Sequence, residues 1–531
     1  MKKILFILFI ILFLFYSLPL FFIKNICASH DERFIINLTL SLPLNSFIMP
    51  VNYYGPIQSY FLLIIFSIFY FYGLFKFGSG IEFLKYLYVN NFSAFLFLGK
   101  LLSFLFFIFS IFIFYKIIKI KKFKIETLIF FIFIFFTTPI IYQFSTHIKV
   151  ELLLFCLISM IIYYSLKLQN FYKIRYIIIL AILSGFLITA KYNTVFFVVL
   201  PIIIILLHSK FNVLKVYKDI LLFCFILIIF ILILHPSILF DTKNFFSDIK
   251  YIFYVVNIGH INFVKAKNFT DNFKIIYNIL TSNLSFIYWI FFLFCIFRNL
   301  KNIYLLQFFI VIFLFLIFLI KWKFKLNHYI VPILPFVFYL IIFEFDKYSK
   351  KIQYFFILFF FLFSINYFYK NIEYIKSLTK VDDRILAKKY IEENIAENSK
   401  ILLEDLYDYS PYILPADLPI IYDEPKISSR KKLKQIYFEN LIKYGKGKKY
   451  YLTFLNIPLE GERLLTFKFP DINFIKNNFD YVIISNSIYY RFKNYNGNDT
   501  FMLSAKKFYF EDLMQFKKIK EIGNIKIIKI N

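Results

Sequence analysis

The residues best suited to chemistry stand where apolar runs begin or end. His30-Asp31-Glu32-Arg33 follows directly on an apolar run at 4–23. Two adjacent carboxylates on a helix point about 100° apart, so they cannot address one atom together. One can face a cleft while the other makes a structural bond. A carboxylate held at a lipid–water boundary can take the proton of a hydroxyl as a general base; the plainer role is a solvated acidic pair beside an apolar helix. Glu151, in His147-Ile148-Lys149-Val150-Glu151, opens another apolar run, where the helix dipole favours a carboxylate in any case. Lys191, in Thr189-Ala190-Lys191-Tyr192, lies between two runs. It suits a phosphate as a compact point charge, or it simply reaches for water. His328, in Asn327-His328-Tyr329, has Pro332 and Pro335 behind it; a single His at a helix end is more often structural than catalytic. No phosphate-binding Gly-rich loop, HExxH, CxxC pair or GxSxG occurs.

The elements that must position these residues are membrane spans. The 531 residues are 60% hydrophobic, with mean hydropathy +0.71, more apolar surface than a soluble domain can bury. The net charge of +29 fits Lys-rich cytoplasmic loops better than a nucleic-acid partner. The four cysteines show no metal spacing, and three lie inside apolar runs, where they read as small buried residues. Lys2 and Lys3 precede a long first run without a small-x-small cleavage site, which predicts an uncleaved first helix with a cytoplasmic N-terminus.

Apolar runs predict about eleven spans: 4–23, 95–117, 126–146, 151–168, 176–190, 193–208, 219–236, 279–297, 303–320, 328–344 and 353–369. With the N-terminus inside, loops 118–125, 169–175, 209–218, 298–302 and 345–352 are all inside, and all carry Lys or Arg. This requires that 57–76, although apolar, not cross; it is expected as an interfacial or re-entrant helix. Two longer regions, 24–94 and 237–278, then lie outside, as does 370–531. That last segment has charges, Pro and short alternating runs such as 481–484 and 525–528, and helical spacing at 384–394, which predicts a soluble α/β domain. Sorting charges by side leaves the inner loops almost purely Lys and Arg, with no acid–base constellation, and points to an outward-facing site.

In order along the chain, several motifs resemble the GT-C superfamily of membrane glycosyltransferases, specifically the protein O-mannosyltransferases and the bacterial lipid A aminoarabinose transferases. They are Asp31-Glu32 after one helix, Tyr53-Tyr54-Gly55-Pro56, Lys100 leading a helix, and Glu151 opening a span. Gly185 through Lys191-Tyr192, His235-Pro236, His328-Tyr329-Ile330-Val331-Pro332-Ile333-Leu334-Pro335 and Asp480-Tyr481-Val482-Ile483-Ile484-Ser485 complete the series. The chain departs from the family in three places. The second carboxylate, usually Asp, is Glu151. The aminoarabinose transferases' Glu-Lys before the loop Pro is Tyr54-Gly55, so the metal and phosphate roles of that pair do not carry over. His328 stands where Arg is common.

The resemblance implies a polytopic α-helical GT-C fold over 1–369 with an extracytoplasmic α/β domain over 370–531, in a cell membrane. It implies an inverting transfer from a polyprenyl-phosphate sugar to a glycan, lipid or protein hydroxyl on the outer face, with a membrane lipid as partner. Asp31 and Glu151 are the expected catalytic carboxylates. His30, Glu32, Tyr53, Tyr54, Lys191, His260 and His328 are the expected substrate contacts. The resemblance fixes no cofactor and leaves room for a divalent metal. A transporter or flippase of lipid-linked sugars is the alternative, and would be expected to show inverted halves with polar groups at mid-membrane depth. A polymerase or ligase of surface polysaccharide would share the mechanism and differ in acceptor.

Overall fold

The computed structural model describes residues 2–43, 49, 52, 55–208, 213–258, 269–322, 326–405, 409–422, 431–455, 457, 467–486, 492–493 and 500–530. In chain order its first helices are α1 (Lys2–Ser17), α2 (His30–Ser41), α3 (Ile57–Phe77), α4 (Gly80–Asn90), α5 (Phe92–Ile120), α6 (Ile125–Phe136), α7 (Pro139–Phe144), α8 (Glu151–Asn170), α9 (Ile174–Ala190) and α10 (Val199–His208). There follow α11 (Val213–Leu234), α12 (Ser237–Phe240), α13 (Thr242–Ile258), α14 (Phe269–Asn283), α15 (Phe286–Asn299), α16 (Ile303–Lys321), α17 (Leu334–Asp346) and α18 (Lys350–Thr379). Among the described residues eight helices are long and apolar enough to cross a membrane, or nine if the bent pair α14–α15 counts as one span.

Three expected spans are not simple rods. The run at 126–146 breaks between α6 and α7, where Pro139 has no N–H to continue the α6 ladder. The run at 279–297 is bent by 108° at the α14–α15 break. The run at 193–208 starts as a 3-10 helix, Tyr192–Val198, before α10. The loop expected at 237–278 is largely helical, carrying α12, α13 and part of α14.

The direction of α3 follows from its contacts. Phe61 packs on Phe106, whereas Phe66 and Phe69 pack on Phe95, so α3 runs antiparallel to α5 and towards its N-terminal end. After the left-handed Gly78, α4 folds back along it, with Gly73 lying against the Phe83 ring. The hairpin therefore starts beside the middle of α5 and finishes at its N-terminal end. At its start Gly55 meets the Thr189 carbonyl so closely that a Cβ would lie 1.8 Å from that oxygen. At its finish Asn90 Nδ2 donates to the Tyr444 carbonyl (2.9 Å).

Tyr444 belongs to the α/β domain, which begins beyond α18. The last long helix does not stop near 369 but runs to Thr379. The domain holds α19 (Asp383–Asn394), α20 (Lys431–Tyr444), α21 (Ile472–Asn478) and α22 (Thr500–Lys507). Its strands are β1 (Lys400–Leu403), β2 (Leu414–Pro415), β3 (Ile420–Ile421), β4 (Lys449–Phe454), β5 (Tyr481–Ser485), β6 (Lys517–Ile522) and β7 (Ile525–Lys529). The order is β2-β4-β1-β5-β7-β6, with β3 also on β4; β1 to β5 are parallel, and the β6–β7 hairpin closes one edge antiparallel. Successive strand residues enter cores on opposite faces: Leu402, Val482 and Ile484 on one, Ile401, Leu403 and Ile483 on the other.

The domain is tied to the segment joining α1 to α2. Asp382 N–H donates to the Asn25 carbonyl (2.8 Å), Cys27 N–H to Asp382 Oδ2 (3.3 Å), and Arg384 Nη1 to the Ala28 carbonyl (3.1 Å). The Arg33 guanidinium lies between the Phe92 and Tyr412 rings. The α/β domain and α2 thus share one end of the bundle.

Candidate active site

Helix α2 starts on a capping box. Glu32 N–H donates to Ser29 Oγ (3.4 Å), and Ser29 N–H donates back to Glu32 Oε2 (3.0 Å). The other oxygen, Oε1, accepts from Ile148 N–H (3.2 Å) and faces Lys100 Nζ (3.3 Å) and His147 Nδ1 (3.6 Å). The side chains of Glu32 and Lys100 are only 2% and 5% exposed. Burial alone would push the Glu32 carboxyl up; Lys100, His147 and the Ser29 N–H more than offset it and hold it well below its ordinary value. Expected as a substrate contact, Glu32 is instead closed off: both oxygens are used within the protein, where they fix α2 to α5 and to the 147–149 turn.

Asp31 differs. Its Oδ2 lies 2.6 Å from Lys149 Nζ, and the two side chains are 33% and 20% exposed. Burial would lower the Lys149 ammonium; Asp31 and Glu151 more than offset it and raise it. The 147–149 turn that carries Lys149 is fixed from behind, because Ser103 Oγ donates to the His147 carbonyl (2.7 Å) as Glu32 accepts from Ile148.

Two residues on, Glu151 is the first residue of α8. Its Oε1 lies 3.1 Å from Lys191 Nζ and 3.5 Å from His328 Nε2, while its buried Oε2 has no hydrogen-bond partner among the described residues. Lys191 caps α9 in an extended conformation that turns the chain into the 3-10 helix at Tyr192; its ammonium also sits over the Tyr329 ring (5.1 Å). A second 3-10 helix, Asn327–Ile333, presents His328 and Tyr329 ahead of Pro332. Both lie within electrostatic reach of Glu151 and Asp31. Beyond Tyr329 an apolar pocket is lined by Ile276, Ile279, Leu280, Leu316, Leu319 and Ile330.

The fold thus brings Asp31, Glu151, Lys191 and His328 together. Tyr53, Tyr54 and His260 lie outside the described residues, as does the side chain of His30, whose backbone is the first turn of α2. Lys149 had no assigned role in the sequence; the signal was a lysine two residues before a span-opening carboxylate. A neighbouring polar group was also missed. Tyr192 Oη lies 2.7 Å from His235 Nε2, and Asp248 Oδ2 accepts from the backbone and side-chain N–H groups of Asn52 (2.8 and 3.0 Å). Among the described residues no three His, Cys, Asp or Glu side chains converge as metal ligands.

Carboxylates paired with bases also occur at the far end of the bundle, where the sequence predicts almost purely Lys and Arg loops with no acid–base constellation. Glu344 lies 2.8 Å from Arg298 and 2.7 Å from Lys347. Asp346 Oδ1 accepts from Lys124 N–H and Thr127 Oγ1 (both 2.6 Å), and Glu126 lies 3.6 Å from Lys350.

The bundle carries its α/β domain at the end where Asp31, Glu32 and Glu151 meet their lysines, and its fold is of the GT-C class. Two solved structures share it along essentially their whole length, both of ArnT from Cupriavidus metallidurans. The apo structure is 10% identical, with TM-score 0.53 and 98% of each chain covered. The structure bound to undecaprenyl phosphate is 9% identical, with TM-score 0.52, covering 100% of this chain and 98% of the other. No protein-family model matches the chain, and no curated protein matches it in sequence.

Proposed function

We propose that the chain is an inverting glycosyltransferase that moves a sugar from a polyprenyl-phosphate donor to an acceptor hydroxyl at the extracytoplasmic face of a membrane, with its N-terminus cytoplasmic. One observation carries the reading: in a fold whose solved example holds undecaprenyl phosphate, carboxylates and inward-turned lysines meet at the α/β-domain end of the bundle. The lipid's chain would run past the Leu316 and Leu319 side chains into the bilayer, with its phosphate at Lys191 and Tyr329. Asp31 takes the acceptor's hydroxyl proton as the hydroxyl oxygen attacks the anomeric carbon. The bond from that carbon to the phosphate oxygen breaks, and its electron pair leaves with polyprenyl phosphate. Lys191 faces the negative charge that grows there. The unpartnered Oε2 of Glu151 is placed to accept from a sugar or acceptor hydroxyl. Inversion needs no covalent intermediate, so one base suffices.

The test is turnover by the purified full chain in lipid, given undecaprenyl-phosphate-linked pentoses and hexoses with candidate acceptors, and read as released undecaprenyl phosphate. Wild-type release that Asp31→Asn abolishes supports the reading. Release by Asp31→Asn at the wild-type rate removes Asp31 from the mechanism. Translocation of lipid-linked sugar without release would instead identify a flippase.

A further inference from the structure

At the site the described charges balance. Asp31, Glu32 and Glu151 face Lys100, Lys149 and Lys191. An anionic phosphate entering this balanced group must draw an ammonium away from a carboxylate or compete with it. The three pairs are not equally able to yield. Lys100 is buried with Glu32, whose two oxygens also accept from the Ser29 and Ile148 N–H groups. Lys191 pairs with Glu151, which is 3% exposed, and a buried carboxylate that loses its partner is left without water to replace it. Asp31 is a third exposed, so water can solvate it when its lysine leaves. Lys149 has the means to move: its backbone is clamped at 147–149, but its ammonium sits on a flexible four-carbon stem.

We infer that Lys149 is shared between Asp31 and the donor's phosphate. Without donor it closes on Asp31 and holds the carboxylate as an ion pair. When the phosphate arrives, the ammonium turns to it, and the Asp31 carboxylate, released from that ion pair, takes the acceptor's hydroxyl. Donor binding thereby prepares the base. A carboxylate paired with an ammonium is a weaker base than the same carboxylate without it, so acceptor activation waits until a sugar is in place. The inference rests on the glycosyltransferase reading and adds a binding role and an order of events to it.

A double-mutant cycle tests it through equilibrium binding, with no acceptor needed. The probes are undecaprenyl phosphate and, as control, undecaprenol, bound to the purified full chain in detergent. Lys149→Met is expected to weaken undecaprenyl phosphate binding about tenfold, a single phosphate contact's share of affinity, and to leave undecaprenol unchanged. Lys149→Arg keeps the charge and is expected to stay within about threefold of wild type. Asp31→Asn removes the competitor and is expected to tighten binding about threefold, and to do so only where Lys149 is present. Should Asp31→Asn tighten binding equally in the Lys149→Met background, the effect is plain charge repulsion and the sharing is wrong. Unchanged binding by Lys149→Met also overturns it, with Lys149→Gln as a second variant if Lys149→Met fails to fold. A wild-type chain that binds undecaprenyl phosphate no better than undecaprenol overturns the glycosyltransferase reading itself, and the inference with it.

Discussion

The two ends of the helical bundle both bury carboxylates, but they treat the partner cations differently. At the far end, Glu344 is fully buried while its partners Arg298 and Lys347 are 46% and 34% exposed; the Lys350 that faces Glu126 is 68% exposed. These cations reach out to solvent from the ends of their helices, as long basic side chains do at a membrane boundary. At the α/β-domain end the lysines are turned inward, Lys100 almost completely and Lys149 and Lys191 largely. Withholding an ammonium from water is costly unless something anionic occupies its cleft. The far end reads as a clasp between loops; at the near end each inward-turned ammonium is already paired with a carboxylate, so an entering anion has to compete for it.

Substitutions at the two ends should therefore separate chemistry from stability. The largest effect is expected for Asp31→Asn: loss of a general base lowers turnover by about 10²- to 10⁴-fold, with little change in thermal unfolding, because the pair it breaks is partly exposed. Turnover and melting measured on one preparation check both halves. Glu32→Gln is expected to do the reverse. Removing one partner of a buried, multiply bonded pair costs about 3–5 kcal/mol, seen as a lowered unfolding midpoint in detergent. Glu344→Gln at the far end is expected to destabilise by a similar few kcal/mol, while turnover per folded molecule stays at the wild-type rate; a fall in that rate would erase the contrast between the ends.

Acid should act through the same Glu32. Its folded pKa lies below its ordinary value of 4.5, so as pH falls the unfolded chain takes up the proton first. The stability it supplies is complete above that value and drains away below it. Unfolding midpoints followed downward from pH 6 should drop more steeply for wild type than for Glu32→Gln. The smallest effect is expected in the apolar pocket. Leu316→Trp should crowd the path proposed for the prenyl chain and weaken binding of undecaprenyl phosphate several-fold, by about 1 kcal/mol of displaced apolar contact, while leaving a short-chain prenyl phosphate unaffected.

Much of this arrangement was legible in the chain's apolar periodicity. Runs of Ile, Leu and Phe located α5, α8, α11, α16 and α18, and the alternating 481–484 and 525–528 segments located β5 and β7. Hydropathy does not record direction: α3 reads as a span by composition, and only its ring contacts with α5 give its course. Nor does it record bends, such as that between α14 and α15, where no Pro marks the break. The carboxylate candidates could be read because acids are rare at span ends. Their partners could not, since Lys149 and Lys100 come to α2 from distant segments, and a lysine at a span end looks alike whether it reaches outward or inward. For the same reason Glu344 and Glu126, beside basic loops, gave no sign of forming a clasp.

The most direct measurement is a structure of the full chain in a lipid nanodisc with undecaprenyl phosphate bound. The account predicts the phosphate at the Lys149 and Lys191 ammonium groups, the prenyl chain along the Leu316 and Leu319 pocket, and Lys149 withdrawn from Asp31. Phosphate density at Arg298 and Lys347 instead, with the Asp31–Lys149 pair unchanged, would contradict it.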